Sequence, residues 1–174
     1  MAYMNIEIVP ANLADVPALV QLVNSAYRGE SSKAGWTTEA ELLDGIRTDE
    51  DDLAGLLSKE GNTILKAVEN NSIIGCVYLQ KKGEAMYLGM LTVNPQLQAN
   101  GIGRQLMAAA ENFARQQQCT SVEMTVITVR HELIAWYNKR GYHATGVTKP
   151  FPTGINFGLP KQPLEFMVMS KPLV

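Results

Sequence analysis

The chain has 174 residues, of which 46% are apolar and 18% charged, and its net charge is −2. That length suits one domain, expected to span residues 1–174, and the charge leaves no broad basic surface for nucleic acid or an anionic membrane. No apolar run is long enough to cross a bilayer, residues 1–10 lack a signal-peptide layout, and Cys76, Cys119 and two histidines show no metal-ligand spacing, so a reduced, cytoplasmic, metal-free protein is expected.

Residues 5–9 alternate and predict a first strand. Asp15-Val16-Pro17 then opens a helix to about Tyr27 that buries Leu19, Val20, Leu22, Val23 and Ala26. Residues 28–37 are polar, hold two glycines and Trp36, and predict a loop. Thr38 and Glu41 have capping-box spacing and predict a second helix to about Arg47. The acidic run Asp49 to Asp52 predicts a solvated loop before a short helix over 53–58. A meander over 64–69, 73–81 and 85–93 follows, with turns at Asn70-Asn71 and Lys82-Gly83, residues that accept positive φ. A glycine turn leads to an amphipathic helix over 105–117, a strand over 121–129 and a helix over 131–140 that Gly141 stops. Strands over 142–148 and 164–169 close the chain, around a loop with four prolines, Phe151 and Phe157. An antiparallel meander, a crossover helix and a parallel neighbour predict a mixed α/β sheet.

Most of the functional information lies between Val93 and Arg104. An apolar strand stops at Pro95, and Gly101 and Gly103 form the turn into the next helix. Backbone N–H groups at a helix start have no intrahelical partner, the helix dipole adds positive charge, and a missing Cβ lets an anion approach. The same turn also fits a purely architectural strand-to-helix connection. A Walker loop is excluded because Arg104-Gln105 stands where Lys and Ser/Thr would be required. A dinucleotide fingerprint is excluded because Leu106 stands at the third glycine, and the next strand, Val122-Glu123-Met124-Thr125-Val126, does not end on an acid.

Gln98-Ala99-Asn100-Gly101-Ile102-Gly103 resembles the Gln/Arg-x-x-Gly-x-Gly/Ala signature of the GNAT N-acetyltransferases. Leu91-Thr92-Val93 with Pro95 is similar to the strand leading into it, and Tyr137 with Gly141-Tyr142 to the family's Tyr-x-x-x-Gly-Phe/Tyr element downstream. The resemblance spans about residues 5–170, with specific motifs over 88–142. It implies a seven-stranded, mostly antiparallel sheet flanked by helices, splayed into a V between its fourth and fifth strands. It further implies transfer of an acetyl group from acetyl-CoA to a primary amine of a small molecule or peptide, by direct attack in a ternary complex. The alternative is a non-catalytic acyl-CoA-binding sensor.

By the same resemblance, Leu91, Thr92 and Val93 would pair with the pantetheine arm. Gln98, Ala99, Asn100, Gly101, Ile102, Gly103 and Arg104 would receive the pyrophosphate, Arg104 either by a charge-assisted bond or as a solvated helix residue. Tyr137 would protonate the departing thiolate, against a reading in which it is a core contact. The base is open: relatives carry Glu where this chain has Tyr87, leaving Glu123, Glu30, Glu132 or an ordered water. Arg130 replaces an Asn common in relatives and its role is open, while His131 and His143 are expected to be structural. The acceptor pocket would draw on Arg28, Glu30, Trp36, Phe151 and Phe157, which suits a small amphipathic or zwitterionic amine. The partners expected are this amine and no nucleic acid or membrane, and a homodimer stays open.

Overall fold

The structure is a computed structural model describing residues 5–27, 43–44, 47–97, 101–150, 159–161 and 164–173, with 43–44 and 159–160 described by their backbone. Strand β1 (Glu7–Pro10) leads to a 3₁₀ turn, Leu13–Asp15. Asn12 closes a capping box there, accepting from Ala14 N at 2.9 Å while its own N–H donates to Asp15 at 2.9 Å. Asp15 is also paired with Lys66 at 2.9 Å, tying the turn to the sheet. Helix α1 (Val16–Tyr27) continues directly, burying Val16, Leu19, Leu22, Val23, Ala26 and Tyr27, the face its apolar spacing foretells.

Strand β2 (Leu43–Asp44) corrects the expectation of a helix to Arg47, the earlier part of which lies outside the described residues. Leu43 pairs with Pro160 and Asp44 with Leu159 of β8 (Leu159–Pro160), which lies inside what reads in sequence as one long loop. A capping box contributes about 1 kcal/mol, too little to hold a helix against pairing with a distant segment. Helix α2 (Glu50–Ser58) corrects the acidic loop. Asp49 caps it by accepting from Asp52 N at 2.8 Å, and Glu50, Asp51 and Asp52 form the first turn, where carboxylates oppose the dipole favourably.

The meander β3 (Asn62–Glu69), β4 (Ser72–Lys82) and β5 (Ala85–Val93) matches the sequence reading within two residues. Asn70 and Asn71 adopt φ of 50° and 65° in the first turn. A second 3₁₀ turn (Pro95–Leu97) precedes α3 (Ile102–Gln116), which begins three residues earlier than its amphipathic pattern suggests. Then come β6 (Ser121–Ile127), α4 (His131–Asn138), β7 (His143–Pro150) and β9 (Glu165–Pro172).

Seven strands form one sheet in the order β1-β3-β4-β5-β6-β9-β7. Every pairing is antiparallel except β5 with β6, which run parallel as a crossover through α3 requires. One face packs Met86, Leu88, Val122, Met124 and Val126 against Leu106, Met107 and Ala110 of α3 and Tyr137 of α4. The other packs Ile64, Cys76, Tyr78 and Met90 against α1 and α2. Burying one such large aliphatic side chain contributes about 1.5–3 kcal/mol, so both layers are strongly fixed to the sheet. A Cβ on Gly75 would lie 2.9 Å from the Thr92 carbonyl and 3.0 Å from Leu106, so α3 approaches the strands closely at that point.

Candidate active site

The parallel pairing of β5 and β6 lasts three residues, Ala85–Tyr87 against Ser121–Glu123, and then stops. From Leu88 onward the two strands diverge, opening a V toward their carboxyl ends. The β4 side shows why. Cys76 faces Thr92 and Tyr78 faces Gly89, so two residues of β5, Met90 and Leu91, oppose Val77 alone. Met90 takes φ of 54°, a backbone region that methionine rarely occupies. Such a bulge bends its strand and increases the local twist. It is held from within by the Thr92 hydroxyl, which donates to Met90 O at 2.8 Å, and from α1 by the Tyr27 hydroxyl, which donates to Leu91 O.

At the end of β5, Asn94 Oδ1 accepts from Gln96 N at 2.9 Å and starts the turn. Gln98, Ala99 and Asn100 lie outside the described residues. Gly101 stands at the cap of α3 with φ of 78°, a conformation glycine adopts without strain, and the space where a Cβ would project is open. No side chain caps this helix, and its first internal bond is Gln105 N to Gly101 O at 3.1 Å. The N–H groups of Ile102, Gly103 and Arg104 are therefore left without helical acceptors. A Cβ on Gly103 would lie 3.5 Å from Trp136, so α4 packs directly on the start of α3. The Arg140 guanidinium lies 3.6 Å from the Trp136 ring centroid and donates to Trp136 O at 2.8 Å, while its buried Nε has no partner. Arg104 is exposed and acts electrostatically on Arg140, so two cations flank the helix start.

Tyr137 projects from α4 and is 6% exposed. Its ring meets Trp136 and Tyr142 edge-on at 5.2 and 6.1 Å. Tyr142 is fixed in turn by donating to Glu111 of α3 at 3.0 Å, and Lys171 of β9 donates to the other Glu111 oxygen at 2.8 Å. The Tyr137 hydroxyl has no hydrogen-bond partner among the described residues. Burial raises it well above the ordinary tyrosine range; Tyr27 and Tyr87 push the same way, while Arg130 and Arg140 oppose. Tyr27 and Tyr87 belong to the opposite face of the sheet, so groups from both faces act on this hydroxyl.

Tyr87 reaches from β5 to β6, its hydroxyl 3.2 Å from the Thr125 hydroxyl of β6. Glu123 sits on β6 within the paired, closed part of the V, and Glu132 is exposed on the first turn of α4. Arg130 stands at the N-cap position of α4 without a side-chain capping bond, while His131 and His143 are exposed. Arg28, Glu30, Trp36, Phe151 and Phe157 lie outside the described residues, although the β2–β8 ladder joins the two segments that carry them. No group of three metal-ligating side chains occurs among the described residues. Sequence reasoning missed Tyr27. Its position four residues after buried Val23 marked it as inward-facing, but nothing local showed that its hydroxyl reaches β5.

The Acetyltransferase (GNAT) family model matches residues 17–142. No curated protein matches the chain. Among solved structures, a ribosomal-protein-alanine N-acetyltransferase from Brucella melitensis is 23% identical with a TM-score of 0.71, covering 96% of this chain and 99% of that one. The PaiA N-acetyltransferase of Thermoplasma acidophilum, solved with coenzyme A, is 16% identical with a TM-score of 0.69, over 97% and 99% of the two chains. YncA of Salmonella typhimurium, solved with its cofactor acetyl-CoA, is 20% identical with a TM-score of 0.69, over 97% and 94%. At these identities the structures speak for the fold, and the family model, which spans most of the sequence, speaks for descent: the chain belongs to the GNAT acetyltransferase family.

Proposed function

We propose that this protein is an acetyl-CoA-dependent N-acetyltransferase, one domain over residues 1–174, that acetylates a primary amine of a small molecule or peptide in a ternary complex. The observation carrying this reading is Tyr137, a buried tyrosine of α4 packed against β5 and β6 whose hydroxyl has no hydrogen-bond partner among the described residues.

The residues present suit acetyl-CoA. The uncapped start of α3, the open space at Gly101 and the flanking Arg104 and Arg140 fit a diphosphate. Gln98, Ala99, Asn100, Ile102 and Gly103 would join in holding it, as the motif resemblance implies. Leu91, Thr92 and Val93, beyond the part of β5 that pairs with β6, would run alongside the amide-bearing arm. When bound, acetyl-CoA supplies an activated acyl group and a thiolate leaving group.

The chain's own residues then have separable tasks. A backbone N–H near Leu91 would polarise the thioester carbonyl, and the Tyr27 bond to Leu91 O helps fix the bulge there. Tyr137 keeps its proton at neutral pH because burial raises it, and it would hydrogen-bond to and protonate the sulfur as the thiolate departs. An alkylammonium acceptor must lose a proton at a cost of about 4–5 kcal/mol at pH 7. Glu132, exposed on α4, and Glu123, in the closed part of the V, are poorly placed for this, which leaves Glu30 or a water relayed along Tyr87 and Thr125. Arg28, Glu30, Trp36, Phe151 and Phe157 would line the acceptor side.

Thermal unfolding with and without CoA, followed by thiol release from acetyl-CoA over an amine panel, tests the reading. CoA at a hundred times its Kd should add about 2.7 kcal/mol of stability. A shift with no turnover on any amine would favour the sensor, and no shift would reject both.

A further inference from the structure

Arg47 is a cation on the face of the sheet that α1 and α2 cover, and the chemistry above leaves it unused. Its backbone is held firmly. Arg47 N and Thr48 N both donate to Asn24 Oδ1, at 2.7 and 3.1 Å, and Asn24 Nδ2 donates back to Thr48 O at 2.9 Å. Thr48 is fully buried, and its hydroxyl donates to Asp52 at 2.7 Å, fixing the same segment to α2. The guanidinium carbon lies 5.5 Å from the centroid of the Tyr27 ring, whose hydroxyl rests on the Leu91 carbonyl at the bulge. The charge also acts on the Cys76 thiol, in the strand paired with Thr92. Arg47 therefore stands about one tyrosine's length from the backbone where acyl transfer is proposed to occur.

This half-buried guanidinium has no acidic partner among the described residues. Two carboxylates of the turn that follows are engaged elsewhere, Asp49 as the cap of α2 and Asp52 by Thr48. Removing a cation from bulk water without pairing it is costly, and such a group beside a reaction centre marks a place for a ligand's anion. A single guanidinium fork matches a carboxylate in charge and shape, whereas a phosphate dianion calls for additional donors.

We propose that Arg47 binds a carboxylate on the acceptor, so that the acetylated amine belongs to a free amino acid or a molecule of that size and charge. This rests on the acetyltransferase reading and narrows its substrate class. Arg47 would determine specificity by orienting the amine toward the bulge, with no part in proton transfer.

The test compares each amino acid with its carboxamide and its decarboxylated amine, for wild type, Arg47→Lys and Arg47→Met. Carboxamides have the less basic amines, so a preference for the acid cannot arise from easier deprotonation. Expected is a kcat/KM for acids at least about tenfold above that for carboxamides, the worth of one charge-assisted hydrogen bond. Arg47→Met should erase that preference by lowering the acid rate alone, with the acetyl-CoA KM and the CoA thermal shift unchanged. Arg47→Lys should retain part of it. Equal use of acids and carboxamides, thiol release with carboxylate-free amines only or with none of the panel, or a preference that survives Arg47→Met would each overturn the inference. If these results come with an intact CoA shift, the inference falls alone; a wild type that CoA does not stabilise removes the acetyltransferase reading beneath it as well.

Discussion

Tyr137→Phe separates chemistry from architecture because the structure gives the ring and the hydroxyl different work. The ring packs on Trp136 and Tyr142, and phenylalanine keeps both edge-on contacts. The hydroxyl has no hydrogen bond among the described residues, so its removal breaks none there. With no such bond to lose, the substitution should leave stability unchanged or raise it by up to about 1 kcal/mol. In a chain of this size that is at most about 2–4 °C in Tm. Turnover should move the other way, falling about 10²–10⁴-fold if the hydroxyl delivers the proton. The assay is kcat and the acetyl-CoA KM by thiol release, with Tm measured on the same preparations. An unchanged kcat removes Tyr137 from the chemistry, and a kcat loss accompanied by a large fall in Tm makes it a packing residue. The pH profile adds a second check. Because burial raises this phenol, it stays protonated throughout the neutral range, and the native state loses the associated stability only as pH climbs past the ordinary tyrosine value of about 10. Rate should therefore rise with pH as the acceptor amine loses its proton, with no downturn from Tyr137 below that value. A downturn between about pH 7 and 9 that vanishes in Tyr137→Phe would contradict the burial argument.

Gly101→Asp should abolish the CoA thermal shift while leaving the apo fold intact, since the space beside Gly101 is open and Asp tolerates positive φ better than most residues; Gly101→Asn, of similar shape and no charge, should lose less, and a normal CoA shift in the Asp variant would refute the cradle. Glu111→Ala strips Tyr142 and Lys171 of their shared acceptor and should cost about 1–3 kcal/mol by denaturant unfolding; an unchanged midpoint would show that this network does not hold α4 in place. Cys76 is fully buried with its thiol pushed up to about 12, so it should resist alkylation at pH 8 until the protein unfolds. Rapid labelling of native protein at that position would show that the α1 layer opens.

Elements whose burial is written in local spacing were legible in the sequence. The face of α1, the three strands of the meander and the glycine turn all follow from residue period and turn chemistry. Within the candidate site, Gly101 and Tyr137 could be named because motif spacing marks them. The two corrections, β2 in place of a helix and α2 starting inside the acidic run, have opposite causes. At Leu43–Asp44 a distant partner, β8, overrode a local helix signal. At Glu50–Asp52 a local signal, an aspartate cap followed by acids in the first turn, was present and was read as solvated charge. Arg47 was invisible for a third reason: its orientation depends on Asn24, on a helix 23 residues earlier, and no local pattern reports that distance.

The bulge at Met90 joins these observations, because one irregularity in one strand serves both fold and site. Without it, β5 would continue in register with β4, and no bend would carry it away from β6 beyond Tyr87. The sequence there, Leu88-Gly89-Met90-Leu91, gives no turn signal, since methionine has no preference for positive φ. Such a conformation costs about 1–3 kcal/mol and persists only when its surroundings demand it. Here they do so from two directions: Thr92 binds the Met90 carbonyl from the same strand, and Tyr27 binds the Leu91 carbonyl from α1, 64 residues away. The helix that turns its last residue toward this strand is the one whose Asn24 anchors Arg47. A shift of α1 by a fraction of a turn would therefore disturb the strand and the acceptor cation together, which explains why a distorted strand and an unpaired charge occur at the same place.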